Sequence, residues 1–344
     1  MLDTITETKN DFFEHLGKGK VLKLNEMNMQ TSDEDFHQYH RILQSWHKQL
    51  TQLTFLPQHE DNLEEISIHS PTHIEYRYGH YKTSNDSDLT QEDLEASFDI
   101  LALEHKKDWN YLHPFASFQG IYRSFPVRFT LIHHSASPEG KSKLFIRMLN
   151  KSIYPISGYT KNEIFFFQAI TNKKNFLIAG STGSGKTTFT NSLINMIADQ
   201  EHIAIIEDTK ELISKNKNTT FLITDPTNEN KSMKSYLSYS LRISPDRIIL
   251  GELRSDEVES ALLAMNTGHN GFISTIHANS AKDSIHRIAL LFKLYAKHDL
   301  DYNLILKLIT ANIDYIVFLE NKKITEVIEV FGCEGEQIFY DHVI

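Results

Sequence analysis

Phe176-Leu177-Ile178-Ala179-Gly180-Ser181-Thr182-Gly183-Ser184-Gly185-Lys186-Thr187-Thr188 is the stretch that decides the fold of this chain. Four consecutive apolar residues running straight into a glycine-rich turn read as a strand buried on both faces that enters a tight loop. From Gly180 to Thr187 the loop fits G-x-x-x-x-G-K-[ST], lying between that strand and a helix expected to start near Lys186. Gly180, Gly183 and Gly185 let the backbone curl, so the N–H groups around Ser181, Thr182 and Ser184 turn inward toward phosphate oxygens. The helix N-terminus adds its dipole. Lys186 is placed to reach the β and γ phosphates, and the Thr187 hydroxyl to ligate Mg²⁺. The residues imply a nucleoside-triphosphate site. Such a loop serves many activities, so the rest of the chain must discriminate.

Outward from the loop, short apolar runs recur at Ile203-Ala204-Ile205-Ile206 and Ile248-Ile249-Leu250, separated by helical stretches. This is the pattern of an α/β domain with a parallel sheet. Val258, Ala261, Leu262 and Met265 form a helical stripe ended by Gly268, and Ile285, Ile288, Ala289 and Phe292 form another. Tyr315–Leu319 and Thr325–Val330 read as a closing hairpin. Upstream, Thr160 with Glu163 predicts a capping box for a helix through about Asn172. Ser, Pro and Gly interrupt the pattern over 151–158, which predicts a linker between an N-terminal domain (1–150) and the loop-bearing domain (159–344). The first part reads as smaller and α+β. It has a helix over 33–50 capped by Ser32, strands over 66–78 broken at Ser70-Pro71, and a helix opened by Thr90 and Asp93 with Leu94, Phe98 and Leu101 inward. Strands follow over 125–133 and 143–149, where Val127, Phe129 and Leu131 share one face and Arg128 takes the other.

Two expected strand ends carry acids: Glu207-Asp208-Thr209-Lys210-Glu211 after the run at 203–206, and Gly251-Glu252-Leu253-Arg254 after the run at 248–250. Ligands of open parallel sheets bind outside the carboxyl ends of the strands, so both acids are expected to face the crevice of the phosphate loop. Glu252 stands where a glutamate can orient an attacking water, and phosphoryl transfer depends mainly on positioning and charge stabilisation. Gly268-His269 and Thr275-Ile276-His277-Ala278-Asn279 put two histidines eight positions apart around a strand. No third ligand has a metal-site spacing with them, so a histidine at a strand end beside the loop reads instead as a hydrogen-bonding sensor of the γ phosphate.

Composition closes off other classes. The 344 residues suggest about two domains, and Gly (14) and Pro (8) together are roughly 6% of the chain, about half of average usage, which argues against long disordered tracts. A net charge of −10 argues against a dedicated nucleic-acid binder, and no sequence-specific nucleic-acid contact is expected. One cysteine, Cys333, excludes an internal disulfide framework and a Cys-based zinc site. No window of 18 apolar residues and no signal-like start appear, so the chain is expected in the cytoplasm or on a surface facing it.

Taken together, Gly180–Thr188, Ile206–Glu211, Pro245-Asp246-Arg247-Ile248-Ile249-Leu250-Gly251-Glu252-Leu253-Arg254, and Asn266-Thr267-Gly268-His269 through His277-Ala278-Asn279 resemble the Walker A, Asp-box, Walker B and His-box motifs of secretion ATPases. The wording is most similar to the VirB-eleven-like traffic ATPases of type IV secretion systems. The resemblance covers about residues 120–320. It implies a RecA-like P-loop domain with a smaller α+β N-terminal domain, and a homohexamer that hydrolyses ATP with Mg²⁺. It also implies docking on inner-membrane components of a secretion channel at the cytoplasmic face, with protein or DNA as cargo. For the site it implies Glu252, Glu207, His277 and Arg254 in catalysis. Nucleotide contacts would come from Gly180 through Thr188, His269, and two N-terminal arginines at the positions of Arg128 and Arg147, whose planar forks suit phosphate oxygens. One departure is visible: Arg242-Ile243-Ser244-Pro245-Asp246 has Ser244 where the family often has a second arginine, so any role of that group lapses or falls to Arg242, Arg247 or Arg254. A type II secretion or pilus motor of the same superfamily is the alternative, disfavoured by the lack of a four-cysteine zinc module. An ATP-gated scaffold with little turnover and a DNA-stimulated translocase are two further readings.

Overall fold

The computed structural model describes residues 63–79, 81–85, 90–122, 125–149, 153–225, 228–296 and 300–343, and the helix expected over 33–50 lies outside them. The chain divides into two compact units, Met1–Leu149 and Asn150–Ile344.

Alternation builds the N-terminal unit. Its strands are β1 (Glu65–Ser70), β2 (His73–Tyr78), β3 (Tyr81–Asn85), β4 (Phe115–Tyr122), β5 (Phe125–Ile132) and β6 (Lys143–Met148), with helix α1 (Gln91–Glu104) after β3. They form one antiparallel sheet in the order β3-β2-β1-β6-β5-β4. Every second residue is buried: Ile66 and Ile68, Ile74 and Tyr76, Val127, Phe129 and Leu131, Leu144 and Ile146. They share one core with Leu94, Phe98 and Leu101 of α1, the face expected from the sequence. On β5 and β6, Arg128 and Arg147 stand directly opposite each other in register, both half-buried and on the other face.

Continuous apolar runs build the second unit. Helix α2 (Glu163–Thr171) leads into β7 (Phe176–Gly180) and α3 (Lys186–Ile194). Then come β8 (Ile203–Glu207), β9 (Thr219–Ile223), α4 (Met233–Ser240), β10 (Arg247–Leu250), α5 (Glu257–Asn266) and β11 (Ile273–Ile276). Last are α6 (Ala281–Tyr295), α7 (Tyr302–Asn312), β12 (Tyr315–Glu320), β13 (Lys323–Glu334) and β14 (Gln337–His342). Eight strands run in the order β14-β13-β12-β7-β11-β10-β8-β9; the six from β12 to β9 are parallel, and β13 and β14 are antiparallel. Strands β7, β8, β10 and β11 are buried at every position because both faces are covered. Phe176 and Ile178 share a core with Phe166 of α2 and Phe189 of α3, whereas Leu177 and Ala179 share one with residues of α5, α6 and α7.

One local expectation fails. Thr160 does not cap α2; its Oγ1 accepts the N–H of Asn162 at 3.1 Å, and the helix starts at Glu163 with Asn162 as an N-cap that makes no side-chain bond. A hydroxyl satisfied two residues on makes a local turn in place of the reciprocal box. Gly268, in contrast, ends α5 at a φ of 95°, as its stripe predicts.

Candidate nucleotide site

The loop between β7 and α3 has the backbone that its glycines allow. Gly185 caps α3 at a φ of 97°, and a Cβ there would lie 3.3 Å from Cα of Lys322. No side chain caps the first turn of α3, so its N-terminus stays open to a ligand. The Ser184 hydroxyl is buried without a protein partner. An open helix start, a close glycine cradle and an unpartnered hydroxyl suit a phosphate group.

Lys186 is nearly buried, and its Nζ donates to the carbonyls of Gly180 and Ser181, each at 2.9 Å, and to His277 Nδ1 at 3.2 Å. That last bond fixes the imidazole: an ammonium only donates, so Nδ1 is the acceptor and the proton sits on Nε2. His277 Nε2 stands 3.0 Å from Glu252 Oε1, and Arg254 Nη2 donates to Glu252 Oε2 at 2.5 Å. Arg254 Nη1 reaches Asp208 Oδ2 at 3.1 Å. Lys186, His277, Glu252, Arg254 and Asp208 therefore form a continuous polar chain.

The topology explains the chain. β7 carries the loop and β10 leads to Glu252, but β11 lies between them. Its last residue, Ile276, is level with Ala179, so His277 leaves the sheet between the lysine and the glutamate. Thr275 Oγ1 donates to the Gly251 carbonyl at 2.7 Å and the Leu253 N–H to the Thr275 carbonyl at 2.9 Å, fastening β11 to the Glu252 loop.

Glu207 is buried at the end of β8. Its Oε1 accepts the N–H groups of Leu212 at 2.9 Å and Glu211 at 3.1 Å, and Oε2 has no partner. Burial pushes its carboxyl up to about 7, against the pull of those two backbone bonds. Thus Glu207 organises the loop that carries Glu211, and Glu211 Oε2 lies 3.5 Å from Thr187 Oγ1, the expected Mg²⁺ ligand. Burial works against the charge on Arg254, but Glu252 and Asp208 outweigh it and raise its pKa.

His269 is half-buried, with Nδ1 without a hydrogen-bond partner. Of the arginines able to inherit the missing one at Ser244, only Arg254 joins this cluster. Arg247 is buried at the opposite end of β10, held by Glu201, and Arg242 is exposed.

Two participants escape sequence reasoning. Glu257 accepts the N–H of Arg254, the N–H of Ser255 at 2.7 Å and the Ser255 hydroxyl at 2.7 Å, clamping the loop that aims Arg254. The Lys322 N–H donates to the Ser184 carbonyl at 3.0 Å from the β12–β13 turn, where Asn321 and Lys322 have φ of 51° and 64°. Glu257 belongs to none of the sequence motifs, and the Lys322 contact joins residues 138 positions apart.

A parallel sheet with a phosphate-type loop and a lysine–histidine–glutamate chain at the carboxyl ends of its strands defines a RecA-like P-loop unit. Residues 139–317, just over half of the chain, match the family described as type II/IV secretion system protein, and the chain belongs to that family. It is 38% identical over 182 residues to a type IV secretion system protein VirB11 of Bartonella henselae, covering 50% of this chain and 51% of the relative. It is 31% identical over 211 residues to a conjugal transfer protein TrbB of Rhizobium radiobacter, covering 57% and 63%. The chain therefore spans less than two thirds of the length of these curated relatives. In fold it is similar to the Legionella pneumophila ATPase DotB, with a TM-score of 0.58 and 14% identity over 91% of this chain and 81% of that one. Among the described residues no helix is long and apolar enough to cross a membrane.

Proposed function

We propose that this protein is a Mg²⁺-dependent ATPase that drives a type IV secretion system, working as a homohexamer on inner-membrane channel components at the cytoplasmic face, with protein or DNA as its cargo. The observation that carries the reading is the series Lys186–His277–Glu252–Arg254, each group within 3.2 Å of the next, at the carboxyl ends of the strands. The likeness to a VirB11 and a TrbB protein favours the type IV branch.

Each residue has a role suited to its chemistry. The loop amides from Gly180 to Thr188 and the Lys186 ammonium hold the phosphates. Thr187 is the protein ligand for Mg²⁺, which when bound neutralises charge on the β and γ phosphates. Glu252 orients the attacking water and accepts its proton, giving ADP and phosphate. His277 stands between Lys186 and Glu252, so a change in what Lys186 holds reaches the imidazole beside the glutamate. Glu207 keeps the Glu211 loop in place, and Arg254 holds Glu252 until substrate arrives. Arg128, Arg147 and His269 are assigned to nucleotide contact, and units 1–150 and 159–344, joined by 151–158, to closure around it.

The test is Mg²⁺-ATP hydrolysis by the purified protein across a concentration range, followed with native mass. Turnover that rises with hexamer formation and disappears in Lys186→Ala is the expected result. Tight ATP binding without turnover, hexamer or not, would replace the motor by a nucleotide-gated scaffold.

A further inference from the structure

We propose that the β1–β2 hairpin of the N-terminal unit carries a second site, in which His69, His73 and Glu75 bind a divalent cation of the imidazole-preferring class, Zn²⁺ foremost. The proposal does not depend on the nucleotide site.

The pleat sets the donors on one face. Ile66 and Ile68 of β1 and Ile74 and Tyr76 of β2 are fully buried, so His73 and Glu75, two apart on β2, project together from the opposite face. A bulge adds the third donor. Ile68 pairs with Ile74 and Ser70 with His73, so β1 spends two residues where β2 spends one, and His69 is the extra one. Bulges re-aim a side chain, and here the imidazole is brought over its neighbour. The two rings lie 4.7 Å apart between centroids, and His73 Nε2 is 3.4 Å from Glu75 Oε1. One ligand atom from each residue lies within 4.8 Å of the others. Among the described residues no other group of three histidine, cysteine or acidic side chains meets this condition.

The surroundings hold the donors in place. The His69 ring and Phe145 of β6 pack edge to face, 5.6 Å apart between centroids. Lys82 Nζ donates to Glu75 Oε2 at 3.2 Å, which orients the carboxylate and leaves Oε1 toward the imidazoles. Ligands at ~2.0–2.1 Å from a tetrahedral ion stand about 3.3 Å apart. The exposed His73 can close that gap by a side-chain rotation without moving either strand. Two imidazoles and one carboxylate leave the fourth position of Zn²⁺ open to water.

The test uses the untagged full chain, stripped with EDTA and titrated with Zn²⁺ by calorimetry, with Co²⁺ as an optical probe. One equivalent should bind with micromolar affinity, be lost in His69→Ala, and weaken by about 10-fold or more in His73→Asn and Glu75→Gln. The visible band of the Co²⁺ form should vanish in His73→Asn, an exposed change that keeps the circular dichroism of the parent. The chain holds 18 histidines, so the variants decide the assignment. Binding unchanged in His69→Ala and His73→Asn, or no micromolar binding by the parent chain, would overturn the site and leave a surface ion pair.

Discussion

The two ends of the parallel sheet carry the same chemistry and use it differently. At the amino end of β10, Arg247 is fully buried. Its Nε and Nη2 grip Glu201 at 2.7 and 2.9 Å, and Nη2 also donates to the Ile170 carbonyl at 2.7 Å. Lys173 completes the cluster by reaching Glu201 at 3.3 Å and Asp246 at 3.1 Å. Burial raises the pKa of Glu201, but Arg247 and Lys173 outweigh it and keep it low. Seven residues later Arg254 grips Glu252 and Asp208 with its side chain 58% exposed. The buried pair fastens α2 to the sheet, with Arg247 Nη1 left without a partner. The exposed pair is one step from a phosphate-type loop and can exchange partners. Charge pattern alone does not separate a fastener from a site; the end of the strands and the exposure do.

Four substitutions test that contrast, and the largest effect belongs to the open end. Glu252→Gln should lower ATP turnover by about 10²–10⁴-fold with the melting temperature nearly unchanged, as steady-state hydrolysis beside thermal denaturation will report. Arg247→Ala should do the reverse. It leaves Glu201 without its bidentate partner and costs about 3–5 kcal/mol of stability by denaturant titration, while turnover per folded molecule persists.

Glu207 gives a pH signature. Its native pKa of about 7 lies above its ordinary 4.5, so over that window the native state keeps a proton that the unfolded chain has lost. Stability therefore falls as pH rises from about 4.5 through 7, by about 3 kcal/mol in all, and Glu207→Gln should reduce the slope. Asp99 of α1, which burial also pushes up to about 7, adds a slope of the same sign that remains in the variant. The smallest effect is expected at Gly271, which has a φ of 79° and whose absent Cβ would lie 2.5 Å from Arg247 Nη1. Gly271→Ala should cost about 1–3 kcal/mol, and less when combined with Arg247→Ala, since the clash is then gone.

Much of this was legible in the sequence, for reasons that particular residues make plain. The strands β7, β8, β10 and β11 are short runs of Ile, Leu, Phe and Ala between helices, and a doubly covered strand leaves that mark. Lys186, Glu252 and His277 stand at or just beyond strand ends, so motif and topology pointed to one crevice. Strand β4 was missed because Phe115 and Ile121 are exposed while Ala116 and Phe118 are buried, which blurs its alternation. β9 and β14 lie at the sheet edges, where burial is partial and the apolar signal weak. Glu257 and Lys322 were invisible as site residues because their roles depend on where a loop and a distant turn come to rest. The burial of Arg247 had no local sign either: in the sequence it stands only as one of three arginines that could replace the one missing at Ser244.

The most direct test of the central claim is the nucleotide retained by Glu252→Gln after incubation with Mg²⁺-ATP and rapid separation. The account predicts that ATP, not ADP, stays bound at near-stoichiometric levels, because the lysine loop is intact and the water-orienting carboxylate is gone. Bound ADP with turnover like that of the parent chain would contradict it and remove Glu252 from the chemistry.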